Sequence, residues 1–182
     1  MKIATIGRGN VGSGLAKRWR NAGHEVTEVG SDGGDVSGVD AVLVAIPSSA
    51  IEDAFKKVTG IGDAVVVDAT NSFTGRDEGF ESLAHQIKSH VSGPVAKAFN
   101  CNFAALFDQI DEQRVPPCNL YAAEDGAVEI TEQLSRDAGY HPVSTGGLGA
   151  ARMLEEHLGL MMAIAEGGIG RFFYRYAAPG EF

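Results

Sequence analysis

The stretch "IATIGRGNVGSGLAKRW", residues 3–19, decides the fold class that this sequence predicts. Its apolar start predicts a short buried strand at residues 2–6, and apolar positions at helical spacing predict a helix from residue 10 to about residue 22. Between them, Gly7, Gly9 and Gly12 form a GxGxxG pattern. A glycine turn that joins a strand to a helix is the context in which this pattern binds a dinucleotide.

Each glycine of the pattern has a separate expected role. Gly7 permits the tight turn, Gly9 lets the main chain approach a pyrophosphate, and Gly12 lets the helix pack on the strand. The free N–H groups of residues 9–12 then point at the phosphates. The alternative is a glycine turn without a ligand. On the helix that follows, Lys17, Arg18 and Arg20 are expected on the solvated face.

The rest of the chain alternates between strand and helix patterns. Further strands are predicted at 25–29, 41–47, 64–68, 94–99, 118–123 and 140–143, and helices at 49–58, 78–90 and 125–138. From Leu148 to about Tyr174 the pattern is mostly helical, with a glycine-rich break at 167–170. This alternation predicts an α/β fold with a doubly wound, mostly parallel sheet. We expect a dinucleotide-binding domain at 1–147 and a C-terminal helical segment at 148–182, packed on it or on a partner subunit.

Composition narrows the class of partner. The net charge of −9 disfavours binding to nucleic acid or to an anionic membrane surface. Two cysteines, Cys101 and Cys118, indicate neither a disulfide scaffold nor a zinc site, and no other metal site is expected. No signal peptide or membrane-spanning run is recognisable. The sequence therefore predicts a cytoplasmic protein whose ligand is a small molecule.

The cofactor is left open between NAD and NADP. An acidic residue after the second strand favours a free ribose 2′-hydroxyl, and a basic one favours a 2′-phosphate. This region offers Glu28, Ser31, Asp32 and Asp35, with no nearby Arg or Lys, which favours NAD. Arg8 in the glycine loop is the one charge that favours NADP.

Five segments, in order, resemble one family. They are "GRGNVGSGLAKRWRNAGHEV", "AVLVAIP", "VVVDATNSF", "VAKAFN" and "AGYHPVSTGGLGAARMLE". Together they resemble the coenzyme F-420-dependent NADP oxidoreductases over about residues 1–165. The resemblance implies a Rossmann fold, a homodimer, and hydride exchange between NADPH and a planar acceptor such as the deazaflavin F-420 or a flavin.

The resemblance also implies site residues. Residues of the glycine loop would hold the pyrophosphate, and two small residues would meet the ribose. Three residues after the "AVLVA" strand would line the nicotinamide, beside two further turns. In that order these residues are Gly7, Arg8, Gly9, Asn10, Val11 and Gly12; Gly30 and Ser31; Ile46, Pro47 and Ser48; Thr70 and Asn71; and Lys97.

Two departures from the family pattern carry expectations. Asp32 stands where the family commonly has Arg, and a carboxylate there repels a 2′-phosphate. The connection between the second and third predicted strands is short and lacks a helix, so one sheet face would be poorly covered or covered by a partner.

The expected chemistry asks little of side chains, because hydride transfer between two cofactors needs mainly positioning and exclusion of water. No catalytic residue is assigned. Lys97 is the best candidate for a proton donor, but a partly exposed strand-end lysine is the favoured interpretation. The acceptor would enter between residues 46–51, 71–74 and 145–152. Two alternatives stay open: a non-catalytic dinucleotide-binding sensor, and a reductase for a small imine or ketone.

Overall fold

A computed structural model describes residues 1–180, and its central feature is a seven-stranded sheet. The strands of the chain are β1 (Lys2–Ile6), β2 (Glu25–Val29), β3 (Gly34–Asp35), β4 (Ala41–Val44), β5 (Val58–Thr59), β6 (Val65–Asp68), β7 (Val95–Ala98), β8 (Cys118–Ala123) and β9 (His141–Ser144). The sheet has the order β2-β1-β4-β6-β7-β8-β9, and β7–β8 is its one antiparallel pair. The predicted mostly parallel sheet is confirmed.

Helices cover both faces of this sheet. They are α1 (Asn10–Asn21), α2 (Ile51–Lys57), α3 (Leu83–Lys88), α4 (Val128–Asp137) and α5 (Ala151–Ile164). On one face, Leu15 and Trp19 of α1 and Leu134 of α4 belong to a single apolar cluster. On the other, α2, α3 and α5 pack on the sheet through a second cluster. Because both faces are buried, all four residues of β4 are apolar and buried.

The short connection between β2 and β4 lies over one sheet face and contains no helix. Its two-residue strand β3 pairs in parallel with β5, and Val36 beside it is 3 % exposed within the apolar cluster. Gly33 has φ +78°, and a Cβ there would overlap the carbonyl oxygen of Lys57. Only glycine therefore lets this connection lie against the end of α2. The connection covers part of this face through Val36, but Glu25 and Thr27 of β2 stay exposed beside it. Cover of the rest of this face by a partner stays a prediction.

The C-terminal segment departs from the predicted helix. The helical turns end with a π-type turn at Ala165–Ile169, where Gly168 has φ +121° and Gly170 φ +73°. The prediction of helix as far as Tyr174 is wrong, because residues 172–178 contain neither helix nor strand. Instead the backbone N–H of Cys118 donates to the Tyr174 carbonyl, 2.9 Å away. The last two residues of the predicted 148–182 segment lie outside the described residues, and the division at residue 147 stays a prediction.

A 3-10 helix at Ala104–Glu112 was not predicted, and it changes the environment of Arg18. The Arg18 guanidinium donates to the Phe107 carbonyl at 2.9 Å and to the Asp111 carboxylate at 2.6 Å. Its side chain is 13 % exposed, so the expectation of a solvated Arg18 is wrong. Within residues 1–180, none of the helices combines the length and the apolar character that a membrane span requires.

Candidate functional site

In the glycine loop between β1 and α1, two of the three glycines pack against backbone, and the middle one faces open space. Gly7 has φ +111°, and a Cβ there would overlap the Ala45 carbonyl. A Cβ at Gly12 would overlap the carbonyl of Gly7. At Gly9, a Cβ would have no atom within 4 Å apart from those of its chain neighbours. The first and third glycines therefore serve packing, and the second faces open space.

The first turn of α1 has no side chain that neutralises its N-terminus. Gly9 is the N-cap, no side chain caps the helix, and no acidic residue stands in the first turn. The positive end of the helix dipole and the first N–H groups thus face the open space above Gly9. These are the groups that hold a diphosphate at a helix N-terminus.

Two cavities meet at this loop, on either side of the point where the order of the strands in the sheet reverses. Cavity 1 has a volume of about 550 Å³ and lies toward β2; cavity 2 has about 340 Å³ and lies toward β6. Gly9, Ala45, Ile46 and Pro47 line both. The chain runs from β1 to β2 on one side and returns to β4 on the other, so the cavities adjoin across a topological switch point.

Eleven of the fourteen predicted site residues line these cavities. Cavity 1 is lined by Gly7, Arg8, Gly9, Gly30, Ser31, Ile46 and Pro47, and cavity 2 by Gly9, Asn10, Val11, Ile46, Pro47, Thr70 and Asn71. Gly12, Ser48 and Lys97 line neither. Gly12 packs under the loop, and the buried Ser48 hydroxyl donates to the Gly75 carbonyl at 2.7 Å.

Arg8 lies across the end of β2, beside cavity 1. Its guanidinium donates to the Glu28 carbonyl at 2.9 and 3.2 Å, and a Cβ on Gly30 would come within 3.2 Å of it. The Glu28 carboxylate is directed elsewhere. It accepts hydrogen bonds from Ser13 at 2.6 Å and from Arg20 at 2.8 Å, which hold the pKa of Glu28 below its usual value. Glu28 therefore does not face the cavity, and Arg8 does.

Lys57 is a second cation at cavity 1 that sequence reasoning missed. Its ammonium donates to the Ser31 carbonyl at 3.1 Å. The expectation of no Arg or Lys near this loop is wrong, because α2 ends beside it although Lys57 is 26 residues away in the chain. Asp32 and Asp53 also line the cavity, so its two cations face two carboxylates. The pairing of β3 with β5 brings Lys57 here, and no local pattern signals it.

Lys97 is wholly buried behind the loop that follows β6. Its ammonium lies 2.8 Å from Asp68, 2.7 Å from the Thr70 carbonyl and 3.3 Å from Glu155. Glu155 also pairs with Arg76 at 2.9 Å. The interpretation of Lys97 as a partly exposed lysine is therefore wrong. Because Lys97 lines neither cavity, its ammonium is not placed to donate a proton to a ligand bound in them. Its direct part in cofactor binding stays a prediction.

Cavity 2 is apolar apart from a few neutral polar groups. It is lined by Gly9, Asn10, Val11, Ala45, Ile46, Pro47, Ala69, Thr70, Asn71, Phe73 and Thr74. Among these described residues no side chain is ionisable. Phe73 is 74 % exposed at the cavity. Of the three segments predicted to admit an acceptor, 46–51 and 71–74 contribute to this lining, and 145–152 does not.

Comparison with known proteins shows the fold. No protein-family model matches the sequence, and no curated protein sequence matches it. A proposed F-420-dependent NADP-reductase from Arthrobacter sp. FB24 superposes with a TM-score of 0.80 at 20 % identity, over 98 % of this chain and 100 % of that one. A hypothetical protein from Sinorhizobium meliloti gives 0.69 at 26 % identity, over 83 % and 87 % of the two chains.

A third similar structure is the reductive aminase of Aspergillus terreus, in complex with NADPH and ethyl levulinate. It has a TM-score of 0.68 at 13 % identity, and the match covers 92 % of this chain but 62 % of the aminase. The fold of this chain is therefore the Rossmann fold that these reductases share, and the resemblance to F-420-dependent NADP reductases is confirmed at the level of the fold over nearly the whole chain.

Proposed function

We propose that the protein is an NADP(H)-dependent oxidoreductase that transfers a hydride between the nicotinamide and a planar acceptor. The observation that carries this proposal is the pair of cavities that meet over Gly9 at the switch point of the sheet. A dinucleotide has the matching shape: two halves joined by a diphosphate. The adenosine half would occupy cavity 1, and the nicotinamide half cavity 2.

The choice of NADP(H) over NAD(H) rests on Arg8 and Lys57. Arg8 donates to the Glu28 carbonyl and Lys57 to the Ser31 carbonyl, which holds both cations beside cavity 1. The negatively charged 2′-phosphate of NADP(H) would form charge-assisted hydrogen bonds with both cations. Asp32 weakens this preference because its carboxylate lines the same cavity.

The acceptor class follows from the lining of cavity 2. Reduction of a ketone needs a proton donor for the developing alkoxide, and the described lining holds no ionisable side chain. A conjugated acceptor such as the deazaflavin F-420 or a flavin does not need one, since its ring system delocalises the negative charge that the hydride brings, and protonation from solvent follows after the transfer. Apolar residues and the exposed Phe73 suit a flat ring.

When bound, NADPH would supply the hydride, and the residues of this chain would position it. The N–H groups of the first turn of α1 would hold the diphosphate. Ile46 and Pro47, which line both cavities, would pack on the cofactor where it crosses the strand ends. Close contact between two rings and exclusion of water supply most of the rate enhancement in such a transfer.

We propose further that the protein forms a homodimer through α5. Met153, Leu160 and Ile164 of this helix are 66, 57 and 42 % exposed, and their spacing places them on one face of the helix, where an apolar patch marks a protein–protein interface. Light scattering of the purified protein measures this directly: the predicted mass is twice that of the chain, and a monomer at micromolar concentration would contradict it.

An oxidation assay tests the proposed function. NADPH is mixed with the protein and, separately, with F-420, a flavin, a cyclic imine and a small ketone, and the loss of NADPH absorbance is followed. We expect turnover with F-420 or flavin and none with the ketone. Turnover with the imine alone would support the imine-reductase alternative. Tight NADPH binding without turnover on any acceptor would support the sensor alternative.

A further inference from the structure

A third cavity, cavity 3, adjoins cavity 2 at Thr74. Its volume is about 300 Å³, and Thr74 lines both cavities. The Thr74 hydroxyl lies 2.7 Å from the Ser48 hydroxyl and accepts from the Ser49 backbone N–H at 3.2 Å. These contacts join the two segments 46–51 and 71–74, which were predicted to admit an acceptor. A ligand that extends from cavity 2 past Thr74 enters cavity 3.

The two cavities differ in their chemistry. The described lining of cavity 2 holds no ionisable side chain, whereas the lining of cavity 3 includes Glu52, Arg76 and Asp77. Serine hydroxyls and the Gln86 amide line cavity 3 as well. An apolar cavity that opens into a polar one fits a ligand in which a flat ring carries a polar chain.

The positive charge of Arg76 is already matched within the protein. Its guanidinium donates to the Glu155 carboxylate at 2.9 Å, and the Glu155 side chain is wholly buried. Glu155 also lies 3.3 Å from the Lys97 ammonium, which pairs with Asp68 at 2.8 Å. Two cations and two carboxylates therefore balance in this network, and Arg76 adds no uncompensated positive charge to cavity 3.

The two carboxylates of cavity 3 are not matched by Lys or Arg in this way. Within residues 1–180, their ion pairs are limited to the one between Glu52 and His90, at 2.9 Å. Hydrogen bonds from Gln86 and His90 hold the pKa of Glu52 below its usual value, so this group is ionised at neutral pH. With Asp77, it gives cavity 3 a net negative charge, which repels a phosphate but accepts hydrogen bonds from hydroxyls.

We propose that the acceptor is the unphosphorylated flavin riboflavin, whose ring meets the nicotinamide at cavity 2 and whose ribityl chain lies in cavity 3. This inference rests on the proposed function and names the substrate within it. The ribityl chain is neutral, and its hydroxyls can donate to Glu52 and Asp77, whereas the phosphate of FMN would face two like charges.

The reaction is the hydride transfer already proposed. The C4–H bond of the nicotinamide breaks, the hydride forms an N–H bond at N5 of the flavin, and NADPH becomes NADP⁺. The reduced flavin then takes one proton from solvent. No residue of cavity 3 takes part in this step; they hold the chain of the acceptor.

A matched pair of acceptors tests the proposal. Riboflavin and FMN have the same ring and differ by the phosphate at the end of the chain, and kcat/KM for each is measured with saturating NADPH. We expect kcat/KM to be about five- to tenfold higher for riboflavin, because the phosphate is repelled. The ratio should fall toward one as salt is added, since salt screens this repulsion.

Two isosteric variants and a control locate the charge. Asp77→Asn keeps an oxygen for the Gly79 backbone N–H, which donates to Asp77 at 2.8 Å, and Glu52→Gln keeps the side-chain shape. Each should raise kcat/KM for FMN and reduce the preference for riboflavin by about two- to threefold. Glu129→Gln removes the same charge from an exposed position of α4 that lines none of the three cavities, and its preference should match the wild type.

Several results would overturn this inference and leave the proposed function standing. They are equal use of both flavins, a preference for FMN, an unchanged preference in Asp77→Asn and Glu52→Gln, or an equal change in all three variants. Turnover with F-420, whose side chain carries a phosphate, and with neither flavin would do the same. Absence of turnover with any planar acceptor would overturn the proposed function, and this inference with it.

Discussion

Gly9 and Gly12 stand three residues apart in one loop, yet the structure gives them opposite physical roles. A Cβ at Gly9 meets open space, where the diphosphate is proposed to lie, and a Cβ at Gly12 meets backbone. Alanine substitutions at the two positions should therefore differ in effect: the one at Gly9 should weaken ligand binding, and the one at Gly12 should lower stability.

Gly9→Ala should fold normally and bind NADP⁺ at least about tenfold more weakly, because its methyl group occupies the approach to the diphosphate. Gly12→Ala should lose about 1–3 kcal/mol of stability through overlap with the Gly7 carbonyl. Gly159→Ala, in the interior of α5 with no atom near its Cβ position, is the control and should bind normally. Thermal melts and calorimetry measure both quantities. Unchanged affinity of the Gly9→Ala protein for NADP⁺ would show that this loop does not contact the dinucleotide.

Lys57 lines cavity 1, whereas Lys17 on α1 lines neither cavity. Lys57→Met should reduce the ratio of NADP⁺ to NAD⁺ affinity by about tenfold, because a charge-assisted contact to the 2′-phosphate is lost. Lys17→Met, which removes an exposed cation away from the cavity, should leave the ratio unchanged. Competition binding with the two nucleotides measures it. Equal effects of both variants would show that the cation acts only through overall charge.

Asp32→Arg should move the same ratio in the other direction, toward NADP. The carboxylate lines cavity 1, and a guanidinium in its place would attract the 2′-phosphate. The competition experiment applies again. An unchanged ratio would mean that this residue does not face the ribose.

Local spacing identified the glycine loop, because its three glycines lie within a stretch of six residues. The same reasoning failed for Lys57 and Lys97. Lys97 meets Asp68 and Glu155, which are 29 and 58 positions away, and only the assembled sheet and α5 bring them together. Burial of a charge depends on such distant partners, so no periodicity reveals it.

At the scale of elements, α1 is tied to β2 by the Glu28 carboxylate, which accepts from Ser13 and Arg20 of the helix. The hydrogen bond from Ser13 and the charge of Arg20 hold the pKa of Glu28 below its ordinary value of 4.5. Because the folded pKa is lowered, the stabilisation is fully present above pH 4.5 and is lost as the pH falls through the folded pKa.

Glu28→Gln should therefore melt below the wild type at neutral pH, and the difference should shrink as the pH is lowered from 5 toward 3. Melting temperatures of both proteins across this range measure it. A difference that stays constant over the whole range would show that the carboxylate charge contributes nothing to this tie between α1 and β2.

The join of β6, β7 and α5 depends on buried charge. Lys97→Met leaves the buried carboxylates of Asp68 and Glu155 without their shared cation, and we expect a loss of about 3–5 kcal/mol. Lys17→Met is the control: its pair with Asp108 is 62 and 82 % exposed, and its loss should cost less than about 1 kcal/mol. Urea unfolding compares the two. Equal losses would mean that the buried network does not stabilise the fold.

Helices and strands were predicted well where the local apolar pattern sets their bounds. The predictions failed where glycines or tertiary packing set the end of the element. The strand at 2–6 and the helix from Asn10 were predicted to within about a residue. The helix predicted at 78–90 is confined to Leu83–Lys88, and the helix predicted up to Tyr174 ends in the turn at Ala165–Ile169. Positive φ angles at Gly168 and Gly170 end the helix there, and aromatic residues such as Phe172 then pack on the core.

At the scale of the whole molecule, alternation of strands and helices predicted the fold class but not the strand order. The order β2-β1-β4-β6 creates the switch point, and the antiparallel β8 was not foreseen. The site follows from this order: it lies where the connections from β1 and β4 diverge. Chain topology thus contributes as much to the candidate site as the glycine loop does.

Titration calorimetry of the folded wild-type chain with NADP⁺, NADPH, NAD⁺ and NADH tests the central claim, that a nicotinamide dinucleotide lies across the switch point. We predict saturable binding at one site per chain, tightest for the NADP forms, with 2′,5′-ADP competing for it. No heat and no competition with any of these nucleotides, on protein whose melting shows it to be folded, would contradict the claim.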